Sequence, residues 1–204
     1  MPEAADRPEE PSVPASVRAL DARTLRGLAH PLRMAMLSTL RHDGPATASQ
    51  LAARLGESSG ATSYHLRQLA AHGFVEDDPE HGKGRERWWR ATHTGTTFGE
   101  GLLRHDDPHV RGAANLFLHE VASMHAHETS NWLGTRDSWS EEWQRSSDLS
   151  DFTLRLTPER ARELNDRVHE LINSYREFAD ESGAGADEAA QTRILLHAFP
   201  RSRD

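Results

Sequence analysis

Within the stretch SSGATSYHLRQLAAHGFVEDD, five residues are of types suited to touching a partner: Ser59, Gly60, Ser63, Tyr64 and Arg67. At helical spacing they share one side, while Leu66 and Leu69 anchor the other. A solvated helix face more usually carries Glu and Lys, which favour helix and form i,i+4 pairs. Hydroxyls, a phenol and a guanidinium offer directional hydrogen bonds instead. His65, next to Leu66, is placed either to touch a phosphate or to pack beside a partner helix. Further on, EHGKGRERWWR puts Lys83, Arg85 and Arg87 on one hairpin. Gly82 and Gly84 there permit a tight turn that can approach a backbone closely.

The elements that position these groups can be read from the flanking pattern. Residues 1–19 are rich in Pro, Glu and Ala without periodicity and are expected to form a disordered tail. From Leu20 the pattern is helical. A first helix carries Leu25, Leu28 and Ala29, and Pro31 opens a second that buries Leu32, Ala35, Met36, Leu37 and Leu40. Thr47 followed three residues later by Gln50 has capping-box spacing, and that short helix closes on Gly56. The quoted helix follows, ending near Gly73. Phe74 and Val75 then open one strand and RERWWRA returns as another, with one of Trp88 and Trp89 facing inward. Helix, helix, short helix, turn, helix, hairpin is the order of a winged helix-turn-helix, expected over residues 20–95. Packing of Leu51 and Leu55 against Thr62, Leu66 and Leu69 forces the polar set outward.

Residues 96–204 read differently. Asp107-Pro108 resembles an N-cap with proline at the first helical position. A helix to about Trp132 follows, with Val110, Ala114, Phe117, Val121 and Met124 as an apolar stripe and candidate dimer seam. Trp132, Trp139 and Trp143 are more often core, but they form a candidate pocket for an apolar effector. DFTLRL alternates like a strand, Pro158 starts a helix striped with Leu164, Val168, Leu171, Ile172, Tyr175 and Phe178, and TRILLHAF reads as a last strand. The fold class is therefore mainly α with small β (α+β): an N-terminal winged helix-turn-helix, then a long dimerisation helix and a β-α-β segment.

Composition narrows the chemistry. Cysteine is absent from the 204 residues, which excludes disulfides, thiolate metal sites and cysteine nucleophiles together. No apolar run reaches the length of a membrane span, and the N-terminus lacks a signal-type apolar region, so a cytoplasmic protein is expected. The net charge of −8 argues against a polyanionic partner only until its distribution is considered. Residues 21–93 carry ten Lys+Arg against eight Asp+Glu, whereas residues 94–204 carry twelve against twenty. Thirteen histidines raise the question of metal, and His125 and Glu128 share a face downstream of Asp107 and His109. No complete ligand motif results, and neither a metal nor any other cofactor is expected. No phosphate loop, paired-carboxylate constellation or nucleophile elbow is present, so an enzyme is not expected either.

HPLRMAMLSTL, QLAARLGESSGATSYHLRQLAAHGFVEDD and GKGRERWWRA together resemble the ArsR-like winged-helix transcriptional regulators of bacteria. The resemblance covers roughly residues 20–95. It implies a homodimer on double-stranded DNA, usually a repressor, released when an effector binds. The chain departs from the metal-sensing branch, whose cysteine pair it lacks. On this reading Ser59, Gly60, Ser63, Tyr64 and Arg67 enter a major groove, and Lys83, Arg85 and Arg87 contact phosphate or the adjacent minor groove. The operator is expected to be an imperfect palindrome, and the small-molecule effector is unidentified. The alternatives are a winged helix used purely for protein interaction and an architectural regulator without effector.

Overall fold

A computed structural model of the chain describes residues 17–81, 86–181 and 189–201. The chain divides into two compact units, Met1–Asn131 and Trp132–Asp204.

In the first unit α1, α3 and α4 begin at a side chain that accepts from a free amide of the first turn, whereas α2 begins at a proline. Asp21 caps α1 (Ala22–Leu28): its carboxylate accepts from the Thr24 amide at 2.7 Å, and the Thr24 hydroxyl accepts from the Asp21 amide. Those bonds to Thr24 hold the Asp21 carboxyl below the usual range. Pro31 opens α2 (Pro31–His42), where its missing N–H costs nothing. Thr47 and Gln50 form the expected capping box on α3 (Ala48–Leu55), and Gly56 ends that helix at φ 68°. Ser58 caps α4 (Ser59–Ala71).

Three short strands make an antiparallel sheet in the order β2-β4-β3: β2 (Ala46–Thr47), β3 (Val75–Asp77) and β4 (Trp88–Ala91). The register sets Ala46 and Asp77 on either side of Trp89, which is the buried tryptophan of its pair. Two further strands, β1 (Val17–Leu20) and β5 (Gly95–Phe98), pair in parallel. The expected disordered tail therefore ends sooner than residue 19. Val17–Leu20 finds its ladder partner some eighty residues away, a pairing that no local pattern announces.

The long helix forms as α5 (Pro108–Thr135), and the Asp107 carboxylate accepts from the His109 amide at 2.8 Å. Its apolar stripe packs inward. Val110, Ala114 and Phe117 join the core cluster with Leu25, Met36, Leu37, Leu51, Leu66, Leu69 and Phe74, and Val121 and Met124 lie against it. Val110 and Ala114 are fully buried within the chain and Phe117 nearly so, which leaves only the half-buried Val121 and Met124 of the expected dimer seam for a second chain to touch. The packed body likewise extends beyond residue 95 into α5.

The second unit contains α6 (Glu141–Ser146) and α7 (Pro158–Glu181). The helix of the expected β-α-β segment is present, but its two strands are not: DFTLRL and TRILLHAF form no ladder among the described residues. Phe152, Leu154, Leu156, Ile194, Leu196 and Phe199 are all exposed. Alternation supplies an apolar face, but a strand also needs a neighbour's hydrogen bonds and a surface to cover that face.

Candidate nucleic-acid interface

Helices α3 and α4 pack as a helix-turn-helix. Leu51, Thr62, Leu66 and Leu69 are fully buried between them and the rest of the core, and Leu55 is partly buried. Thr62 fixes the crossing further: its hydroxyl donates to the Ala48 carbonyl at 2.9 Å, bridging α4 to the start of α3. This anchoring turns the opposite face of α4 to solvent. Ser59, Gly60, Tyr64 and Arg67 are exposed there, and Ser63 is half-buried beside them. Tyr64 keeps 53% of its surface free, a large exposure for an aromatic residue. Arg67 makes no ion pair or hydrogen bond among the described residues, so its guanidinium is available to a partner. A Cβ at Gly60 would meet nothing within 4 Å, which makes the amino-terminal turn of α4 the least obstructed part of the face.

His65 lies elsewhere. It is half-buried, its ring centroid 4.4 Å from that of His30 and 5.1 Å from that of Tyr64. It makes this ring contact within the chain, whichever of a phosphate or a partner helix it also meets. Burial, then the neighbouring His30 and Arg33, lower its pKa. His30 and Arg33 thus support the face from beneath, a role that the sequence reading missed. They stand more than thirty residues from His65, and their motif signalled only a helix start.

The wing is more constrained than its composition suggested. Arg90 pairs with Glu76 across the β3–β4 register at 2.8 Å. Arg87 pairs with Asp77 at 3.0 Å and lies 4.1 Å over the Trp89 ring, so its charge is partly spent before any partner arrives. The buried Asp78 accepts from the Glu80 amide and approaches His81 Nδ1 at 2.9 Å, which shapes the turn. Lys83 and Arg85, with Gly82 and Gly84, lie outside the described residues.

In the second unit Trp139 and Trp143 meet edge to face at 6.2 Å and border a cavity of about 710 Å³ with Glu142 and Ala190. Trp132, half-buried on α5, is not part of its wall. Among the described residues no three His, Asp or Glu side chains come together to hold a metal ion, and no helix is long and apolar enough to cross a membrane.

Anchored recognition helix, turn, preceding helix and β-hairpin define the class as a winged helix-turn-helix. A family model described as a helix-turn-helix domain matches residues 28–78. Among solved structures the chain is similar to reduced HlyU from Vibrio cholerae, at 21% identity over 45% of this chain and 78% of that one, TM-score 0.29. It is also similar to the homodimeric DNA-binding domain of Mb0332 from Mycobacterium bovis, described as a possible ArsR-family regulator, at 23% identity, 52% and 82% coverage and TM-score 0.33. A possible transcriptional regulator for arsenical resistance matches at 23% identity, 63% and 97% coverage and TM-score 0.30. A comparison with curated proteins found no match.

Proposed function

We propose that the protein is a sequence-specific regulator of transcription, a repressor, that grips an imperfect palindrome as a homodimer. The observation that carries this reading is the outward face of α4, whose polar groups are oriented by fully buried Thr62, Leu66 and Leu69 on the opposite side. Two such helices would enter successive major grooves about 34 Å apart. Arg67 is the group best suited to read guanine, because its fork matches O6 and N7 and nothing among the described residues competes for it. Ser59, Ser63 and Tyr64 contribute hydrogen bonds to bases or phosphates. Lys83 and Arg85 add phosphate contacts, and Arg87 joins them only by leaving Asp77.

For the dimer, the exposed apolar surface favours the second unit, with Leu116 and Leu118 exposed on either flank of the α5 stripe, over the buried Val110, Ala114 and Phe117. The acidic character of residues 94–204 keeps that half off the duplex. The cavity beside Trp139 and Trp143 is the place proposed for an apolar effector whose binding releases DNA.

The test is selection from random DNA by the full chain at two salt concentrations. Recovery of a palindrome whose affinity falls steeply with salt is the expected result. Enrichment of nothing at either concentration would overturn the reading.

A further inference from the structure

The cavity beside Trp139 and Trp143 has a wall whose groups favour one kind of ligand. The two ring planes meet at 66°, so the indoles form a corner rather than a stack. Trp139 keeps 43% of its surface free and Trp143 is half-buried, so neither ring is sealed away from a ligand. Hydrogen bonds hold this corner in place. The Trp139 amide donates to the Arg136 carbonyl at 3.1 Å, and the Trp139 carbonyl accepts from the Gln144 side chain at 2.9 Å. The Trp143 amide donates to the Ser140 hydroxyl at 3.3 Å, and the Trp143 carbonyl accepts from the Ser147 hydroxyl at 2.7 Å. A corner fixed beforehand loses less freedom when a ligand arrives.

The polar part of the wall is biased towards negative charge. Glu142 lines the cavity and is exposed, and among the described residues its carboxylate has neither an ion pair nor a hydrogen bond. The arginines on either side of it in the chain are committed: Arg136 lies 3.8 Å from Asp137, and Arg145 pairs with Glu141. Residues 132–151 carry five Asp+Glu against these two arginines, so no local excess of base offsets Glu142. Ser138 and Ser146 donate their hydroxyl protons to the carbonyls of Thr135 and Glu142, at 2.7 and 3.0 Å. What these two hydroxyls can still offer a ligand is lone pairs. An anion would therefore meet an unpaired carboxylate here. A neutral apolar molecule would strip water from that carboxylate and give nothing back. A cation gains from both the carboxylate and the negative faces of the indole rings.

We infer that the cavity binds an organic cation with a bulky apolar body, its charge held by Glu142 and the indole corner of Trp139 and Trp143. The volume of about 710 Å³ is in the range of sites that take molecules of drug size. This gives the effector of that site a chemical class. Its part in releasing DNA rests on the DNA-binding reading; its binding does not.

The test titrates the full chain, without DNA, with tetraphenylphosphonium chloride and separately with sodium tetraphenylborate at constant ionic strength. The two ions share a shape and differ in the sign of their charge. The signals followed are the indole N–H resonances of Trp139 and Trp143 in nitrogen-proton spectra, assigned by Trp139→Phe and Trp143→Phe. The phosphonium is expected to shift both saturably and to bind roughly tenfold more tightly than the borate. Glu142→Gln changes an exposed side chain and should weaken the phosphonium about threefold without weakening the borate. Trp139→Leu keeps an apolar wall but removes the ring, so it should weaken the phosphonium more than the borate. Glu142→Arg should reverse the order of the two ions. Absence of saturable shifts with the phosphonium, or undiminished phosphonium binding in both Glu142→Gln and Trp139→Leu, would overturn the proposal. Equal binding of the two ions would also overturn it, while leaving an apolar effector in the same cavity. A failed selection from random DNA would sink the operator reading and leave these titrations untouched.

Discussion

Helices α4 and α7 are both amphipathic, and among the described residues only α4 has its apolar side fully buried. The apolar side of α4 ends at Leu66 and Leu69, which expose nothing. On α7, Leu171 leaves 60% of its surface in water, and Leu164 and Tyr175 are exposed as well. The strands repeat the contrast. Trp89 is buried across from Ala46, while Phe152, in an equally alternating segment, is 81% exposed. A periodic pattern thus declares that a face will be covered but does not name the cover. The large apolar groups left bare among the described residues of the second unit are the surface that the proposed homodimer would cover.

The largest effect that tests this contrast comes from matched truncations. Leu66→Ala should cost about 2–5 kcal/mol in urea unfolding, since it opens a cavity where nothing can collapse. Leu171→Ala in dilute protein should stay within about 0.5 kcal/mol, as surface changes do. Sedimentation sharpens the point. Leu171→Arg should lower the mass of concentrated protein from dimer towards monomer, and an unchanged mass would show that α7 is not covered by a second copy.

Next in size is one substitution placed in two helices. Gly27 in α1 faces the His72 ring, and an added Cβ would lie 2.3 Å from it, so Gly27→Ala should destabilise by about 1–3 kcal/mol in thermal unfolding. Gly60→Ala meets open space and should raise stability by up to about 1 kcal/mol through helix propensity. Its cost should appear only on DNA, as weaker operator binding in a fluorescence anisotropy titration. Unaltered DNA affinity would remove the first turn of α4 from the interface.

These pairs mark how far the sequence could be read. The helix-turn-helix was legible because its determinants are local: the Thr47–Gln50 box, the Gly56 stop, and leucines at turn spacing. The orientation of α4 followed from Leu66 and Leu69, and with it the exposure of Ser59, Tyr64 and Arg67. What escaped depends on distant partners. Val17–Leu20 pairs with Gly95–Phe98, His30 stacks near His65, Asp77 engages Arg87, and the α5 stripe turned inward to a core that was already complete in outline. None of those contacts leaves a periodic trace.

Arg67 and Arg87 differ in commitment, and that difference should be visible on DNA. Arg67→Ala is expected to cost about 1–3 kcal/mol on the best operator and less on altered sites, because it removes base reading. Arg87→Ala gives up a side chain already paired with Asp77, so it should weaken all sequences alike and only slightly. Competition titrations with single-base variants of the selected operator separate the two. An equal loss across sequences for Arg67→Ala would reassign it to a phosphate.

The smallest effect concerns acid. His65, His72 and His93 all have their pKa lowered, in each case first by burial and then by cationic neighbours such as Arg33, Arg23 and Arg18. The unfolded chain takes up protons at these positions near the ordinary histidine value of about 6.5, before the folded chain does. Over that interval the unfolded state binds more protons, so stability rises with pH. The stabilisation is complete above about pH 6.5 and is lost as pH falls through the lowered folded values. The Asp21 carboxyl, held down by Thr24, acts in a separate window: its contribution is present above the unfolded value of 3.8 and is lost only below it. Melting temperatures at pH 7.5 and 5.5 should therefore differ before the carboxylates begin to titrate, with the acid sample lower. His65→Gln should reduce the difference, because it removes a ring whose Nδ1 is buried without a partner and which must charge beside His30 and Arg33. If the slope survived unchanged in that variant, His72 and His93 would carry it, and the support beneath the recognition helix would be indifferent to acid.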